Sequence, residues 1–265
     1  MSNNWLSRPK PNPDAPLRLF CLPYAGGGVS IFRRWVTYLP DTVELCSVQL
    51  PGRETRISDE PFTDLRNLAS ALADAIRPEL KRPFALFGHS MGALVSYELA
   101  RQLSTQYGLI PEHLFLSGRR PPHLQTKEPP LHTLGDRDFL LALDRRYGGV
   151  PSIMWQNDEF RSLMLPALRA DIRLVETYQL ATIEPLSCPI TAYGGLEDRL
   201  VEREDLAAWS KYTSGSFAIR MFAGDHFYLN QAPVPLCDSV ADELRRTRSK
   251  RNNIANQENH SAFVH

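Results

Sequence analysis

Phe84-Ala85-Leu86-Phe87-Gly88-His89-Ser90-Met91-Gly92 is the stretch on which the fold turns. Residues 84–87 read as a short buried strand, and 91–103 read as a helix. Between them, Gly88-His89-Ser90-Met91-Gly92 fits G-x-S-x-G. A serine on a sharp strand-to-helix turn has its hydroxyl pushed into the open, and small flanking glycines let the backbone make that turn. The pentapeptide alone is common by chance. Its weight depends on the elements around it and on whether the serine has partners.

Working outward, Leu17–Leu22 is an apolar run without helical spacing, closed by Pro23 and by Gly26-Gly27-Gly28, hence a strand and a loop. A helix is expected from Ser30 as N-cap, with Phe32, Trp35, Val36 and Leu39 on one face. Residues 44–50 read as a strand ended by Pro51-Gly52, and 63–81 as a helix with Leu65, Leu68, Leu72 and Ile76 inward. Further strands are expected at His113–Ser117, 188–193 and Phe217–Phe222, with a last helix over about 235–245. Strands alternating with amphipathic helices give a mostly parallel α/β sheet with helices on both faces. From 119 to 184 no strand is evident, and the apolar spacing is helical: Phe139, Leu140, Leu143 and Tyr147, then Phe160, Leu163, Ile172 and Val175. Pro166 is expected to break or kink the second run. An all-helical insertion between sheet strands has the shape of a lid, with ordinary crossover helices as the alternative.

Bulk composition narrows the function. The 265 residues suit one large α/β domain, and 30 Lys+Arg against 30 Asp+Glu give a formal net charge of zero. Neither a nucleic-acid nor a membrane partner held by charge is indicated. The segment 1–16 is polar, proline-bearing and expected to be flexible, with no signal pattern and no apolar run that could span a bilayer. The tail 246–265 is polar and expected to be disordered, leaving 17–245 as the domain. Cys21, Cys46, Cys188 and Cys237 form no C-x-x-C, which fits reduced core cysteines in a cytoplasmic protein.

A serine hydroxyl needs a base, and the base needs an orienting acid. In this architecture the order is serine, acid, histidine. His226, in Phe222-Ala223-Gly224-Asp225-His226-Phe227, directly follows a strand and is the expected base. Asp198 follows the 188–193 strand in a glycine turn and is the expected acid, with adjacent Glu197 as its rival. The oxyanion of a tetrahedral intermediate needs preorganised donors. These are assigned to the Met91 amide, after the nucleophile, and the Ala25 amide, in the glycine loop. The glycine spacing there matches neither G-x-G-x-x-G nor a P-loop.

Four segments together resemble the type II thioesterases, stand-alone α/β-hydrolases that accompany non-ribosomal peptide, polyketide and fatty-acid synthesis. They are Leu22-Pro23-Tyr24-Ala25-Gly26-Gly27, Leu50-Pro51-Gly52-Arg53-Glu54, Phe87-Gly88-His89-Ser90-Met91-Gly92 and Gly224-Asp225-His226-Phe227-Tyr228-Leu229. The resemblance covers about 17–245. It implies an α/β-hydrolase fold with a helical lid, and hydrolysis of acyl, aminoacyl or peptidyl thioesters on the phosphopantetheine arm of an acyl or peptidyl carrier protein. It implies Ser90 as nucleophile, His226 as base and Asp198 as orienting acid, with no metal or organic cofactor. Arg53, Arg119 and Arg120 stay open between assisting a carrier's approach and structural ion pairing. Met154, Trp155, Phe160 and Met164 are candidates for the acyl pocket, or for core packing. Two other readings are a carboxylesterase or lipase acting on free esters, and a non-catalytic binding module on the same fold.

Overall fold

Seven strands build one sheet: β1 (Leu6–Ser7), β2 (Leu17–Leu22), β3 (Val43–Val48), β4 (Phe84–His89), β5 (His113–Ser117), β6 (Ile190–Gly195) and β7 (Phe217–Phe222). Their order is β1-β3-β2-β4-β5-β6-β7, with β1 antiparallel to β3 and the other neighbours parallel. The computed structural model describes residues 4–124, 128–180 and 182–262, with 250–262 as backbone alone. β2 to β6 are almost wholly buried because both sheet faces are covered.

The helices are α1 (Leu65–Ile76), α2 (Met91–Tyr107), α3 (Asp136–Tyr147), α4 (Ile153–Gln156), α5 (Asp158–Thr177), α6 (Arg203–Ala207), α7 (Tyr228–Gln231) and α8 (Pro233–Ala262). Leu68, Leu72 and Ile76 of α1 and Leu94, Leu99 and Leu103 of α2 pack on one sheet face. Phe32, Trp35, Leu236, Val240 and Leu244 pack on the other. A third cluster, including Phe139, Leu140, Leu165 and Ile172, belongs to α3–α5, the helical insertion between β5 and β6. The strand order reverses at β2, since β3 lies to one side and β4 to the other. Such a switch point opens a crevice at the carboxyl ends of the strands. This is the α/β-hydrolase arrangement.

Several expectations are corrected. The segment 1–16 carries β1, whose Leu6 pairs with Val48 and whose neighbour Trp5 accepts from the Gln49 amide at 2.8 Å. Residues 1–3 lie outside the described residues. The element after the glycine loop is a 3₁₀ helix over Val29–Thr37 with Gly28, not Ser30, at its N-cap position. Its free amides at Val29 and Ser30 are met by the Glu54 carboxylate, at 2.9 and 3.1 Å. Pro166 sits inside a single α5 rather than ending it. The expected disordered tail from 246 continues α8 as helix to Ala262, with 263–265 outside the described residues. Low apolar content argued against a packed element there. The helix is nucleated against the core at Leu236, Val240 and Leu244, and no Gly or Pro interrupts its propagation over 236–262.

Candidate active site

Ser90 sits between β4 and α2 with φ 53° and ψ −111°, a conformation that costs a non-glycine residue about 1–3 kcal/mol. The turn is held because its amide donates to the Ser117 carbonyl at 2.8 Å. The glycines are required by contact. A Cβ on Gly88 would lie 2.0 Å from the Gly92 carbonyl oxygen, and one on Gly92 would lie 2.3 Å from the Leu22 carbonyl oxygen.

His226 follows β7 through Gly224, whose φ of 115° suits glycine. Its Nε2 lies 3.1 Å from Ser90 Oγ, and its Nδ1 lies 2.8 Å from Asp198 Oδ2. The second Asp198 oxygen accepts from the Leu200 amide at 2.9 Å, which fixes the carboxylate's rotation. Both side chains are buried. The turns carrying them are bound together: the Leu196 and Glu197 amides donate to the Phe222 and Gly224 carbonyls at 2.8 and 2.9 Å. Gly195 permits that approach, since a Cβ there would lie 2.4 Å from the Asp225 carbonyl oxygen. Glu197 points to solvent and is not brought to His226.

Ala25 and Met91 both line the cavity beside Ser90. Leu22 and Gly88 are register partners in the β2–β4 ladder, and the two residues lie three positions beyond them on neighbouring strands. Both residues thus follow the carboxyl ends of neighbouring strands, where α2 also directs the positive end of its dipole.

His89 forms a floor under His226, ring centroids 5.2 Å apart. Its Nδ1 is 2.8 Å from Ser117 Oγ, which also bonds the Tyr228 hydroxyl. Complete burial pushes the His89 pKa well below its ordinary value, so the ring stays neutral beside His226. Gly118 leaves it room, since a Cβ there would lie 2.6 Å from His89 Cε1.

The three arginines left open now differ. Arg53 is buried and bidentate on Asp171 of α5, at 2.6 and 2.8 Å, and also donates to the Gly27 carbonyl at 3.2 Å. Asp171 Oδ2 in turn accepts from the Gly26 amide at 2.8 Å. The pair is structural and joins the lid to the loop bearing Ala25. Arg120 bonds the Leu200 carbonyl and approaches Asp205 at 3.7 Å, supporting the Asp198 turn. Arg119 faces the cavity. No local sequence signal marks Asp171, because its partners Arg53 and Gly26 are far off in the chain.

The cavity holds about 680 Å³. Of the four candidates left between pocket and core, Met154, Phe160 and Met164 line it, whereas Trp155 lies outside the lining and is 38% exposed. Among the described residues, no three His, Cys, Asp or Glu groups are placed to hold a metal ion. No helix of the described residues is long and apolar enough to cross a membrane.

The thioesterase-domain family model matches residues 17–246. The gramicidin S biosynthesis protein GrsT of Aneurinibacillus migulanus is 42% identical over 92% of this chain and 94% of its own length. A Brevibacillus parabrevis protein named linear gramicidin dehydrogenase LgrE is 46% identical over 92% and 93%. The glycine loop here lacks dinucleotide spacing, and its Gly26 amide is occupied by Asp171. The structure of the type II thioesterase BorB from the borrelidin cluster superposes with a TM-score of 0.82, at 34% identity over 92% of this chain and 99% of that one.

Proposed function

The chain belongs to the thioesterase family and is a thioester hydrolase of the type II kind, and we propose that it cleaves acyl thioesters from the phosphopantetheine arm of carrier proteins. Ser90 is the nucleophile, His226 the base and Asp198 the group that orients it. One observation carries these roles: His226 bonds Ser90 Oγ through one ring nitrogen and Asp198 through the other, at 3.1 and 2.8 Å.

His226 takes the hydroxyl proton as Ser90 Oγ attacks the thioester carbonyl carbon. The oxyanion is met by the Met91 and Ala25 amides. The C–S bond breaks, and the pantetheine sulfur leaves with the proton held by His226. A thiol has a far lower pKa than an alcohol, so this departure needs little acid assistance. Water then gives a proton to His226 and adds to the acyl-enzyme. Collapse expels Ser90 Oγ, which recovers that proton, and releases the free acid. Neutral His89 leaves the developing imidazolium without a like charge beside it.

The role fits editing of stalled or wrongly loaded carriers, or release of a finished chain, in natural-product or fatty-acid synthesis. GrsT and BorB, by their names, belong to such pathways. Four free, buried cysteines support a cytoplasmic setting. The test is hydrolysis of an acyl group presented as a carrier-bound thioester and as the matched oxygen ester. The thioester is expected to be preferred. Preference for the oxygen ester would overturn the assignment in favour of a carboxylesterase.

A further inference from the structure

Two arginines reach the wall of the catalytic cavity, Arg53 and Arg119. Arg53 is neutralised by Asp171. Among the described residues, no carboxylate lies within ion-pair distance of Arg119. Tyr147 is on the same cavity wall, and the Arg119 Nε is buried with no hydrogen-bond partner. The acid whose charge acts on it, Glu176, is already committed. One oxygen accepts from the Leu131 amide and Arg146, and the other from the His132 amide and ring. Burial pushes the Arg119 pKa down from its ordinary value, and Tyr147 offsets only part of this. The lid contributes apolar residues to the same cavity, among them Leu143, Met154, Met164, Leu168 and Ile172.

A guanidinium kept in such a wall without a counter-ion is costly unless a ligand supplies the charge. Its position says which part of a ligand it meets. Arg119 stands two residues past β5, whose Ser117 pairs with His89 next to Ser90. Tyr147, which lines the same cavity wall, has its ring 6.0 Å from that of His226. The cation therefore lies close to the reacting centre and inside the lid. Planar, bidentate donors match a carboxylate.

We propose that Arg119 is a specificity-determining residue that binds a carboxylate borne by the acyl group, so that the cavity selects mono-thioesters of dicarboxylic acids. The proposal rests on the thioester-hydrolase reading and adds the acyl class.

The test uses pantetheine thioesters of malonate, succinate, glutarate and adipate beside straight-chain acyl thioesters of the same carbon count. Wild type and Arg119→Met are compared as full chains. At one dicarboxylate length, wild-type kcat/KM relative to the matched hydrocarbon is expected to be at least tenfold above the same ratio in Arg119→Met. That corresponds to about 1.4 kcal/mol, carried by KM. Arg119→Lys keeps the charge and loses the fork, so its ratio falls between the two and remains readable if the Met variant does not fold.

An equal fall for both series, or unchanged selectivity, overturns the proposal. So does a penalty that appears only when phosphopantetheine replaces pantetheine, since the anion bound would then be the arm's phosphate. Calorimetric binding of the same pairs to Ser90→Ala repeats the ratio without turnover. Selective binding with no hydrolysis of either series in wild type would overturn the activity and support the Arg119 assignment.

Discussion

Arg53 and Asp171, 118 residues apart in sequence, form a buried two-point ion pair at 2.6 and 2.8 Å that joins the loop after β3 to lid helix α5. Breaking one side leaves an uncompensated buried charge. Asp171→Asn is expected to lower unfolding free energy by about 3–5 kcal/mol in urea titration. The double change Arg53→Met with Asp171→Leu is expected to recover at least half of that loss. A single variant as stable as wild type would show that the pair is not carrying charge compensation.

Ser90→Ala is expected to reduce kcat by about 10⁴-fold or more with the far-UV spectrum unchanged. It also removes labelling by a serine-directed fluorophosphonate, read by intact-protein mass spectrometry. Alanine inherits the φ of 53°, so stability should not rise. Ser90→Gly loses the same activity but relieves the backbone, and its unfolding free energy is expected to increase by about 1 kcal/mol.

Acid lability follows from buried neutral histidines. His113, bonded to Thr191 and Thr247 at 2.8 and 3.0 Å, has its pKa lowered by burial to about 3. The unfolded chain binds that proton near pH 6.5, so folding excludes it and stability falls as pH drops from about 6.5 toward 3. One such group contributes a slope of about 1.4 kcal/mol per pH unit. His89 adds in the same direction. His113→Gln should flatten the stability slope between pH 6 and 5 by about one proton, measured by denaturation at each pH. An unchanged slope would refute the assignment.

Thiol chemistry gives a separate check. All four cysteines are buried, and burial raises Cys46 to about 11 and Cys188 to about 12. Iodoacetamide at pH 8 is expected to modify none of them in the native protein within minutes, and all four in urea. Rapid native labelling would indicate that the sheet opens locally.

What the sequence disclosed, it disclosed locally. The Ser90 elbow, the strand before it and the helix after it are all contained in one stretch with period and glycines to read. His226 and Asp198 could be placed because each lies in the turn that ends a strand. β1 escaped because two residues have no period. The capping of the 3₁₀ helix escaped because Glu54 supplies it from another loop. Asp171 reads in sequence as an ordinary polar position on α5, and only tertiary packing makes it the partner of Arg53. Arg119 and Arg120 were indistinguishable as neighbours, and the fold turns one inward and one toward the Asp198 turn.

Because Asp171 grips both Arg53 and the Gly26 amide, α5 belongs mechanically to the chemistry below it. The insertion thus divides in two. α5 is a fixed beam whose displacement would shift the loop that carries Ala25. Among the described residues, α3 and α4, linked through Gly148 and Gly149 at φ 67° and 75°, make no hydrogen bond to that loop, and α3 is tied to α5 by the Asp136–Arg169 ion pair. New acyl preferences can arise in lineages by repacking α3 and α4 around an unchanged bond-breaking apparatus, whereas variation at the inner face of α5 is held in check by the reaction itself.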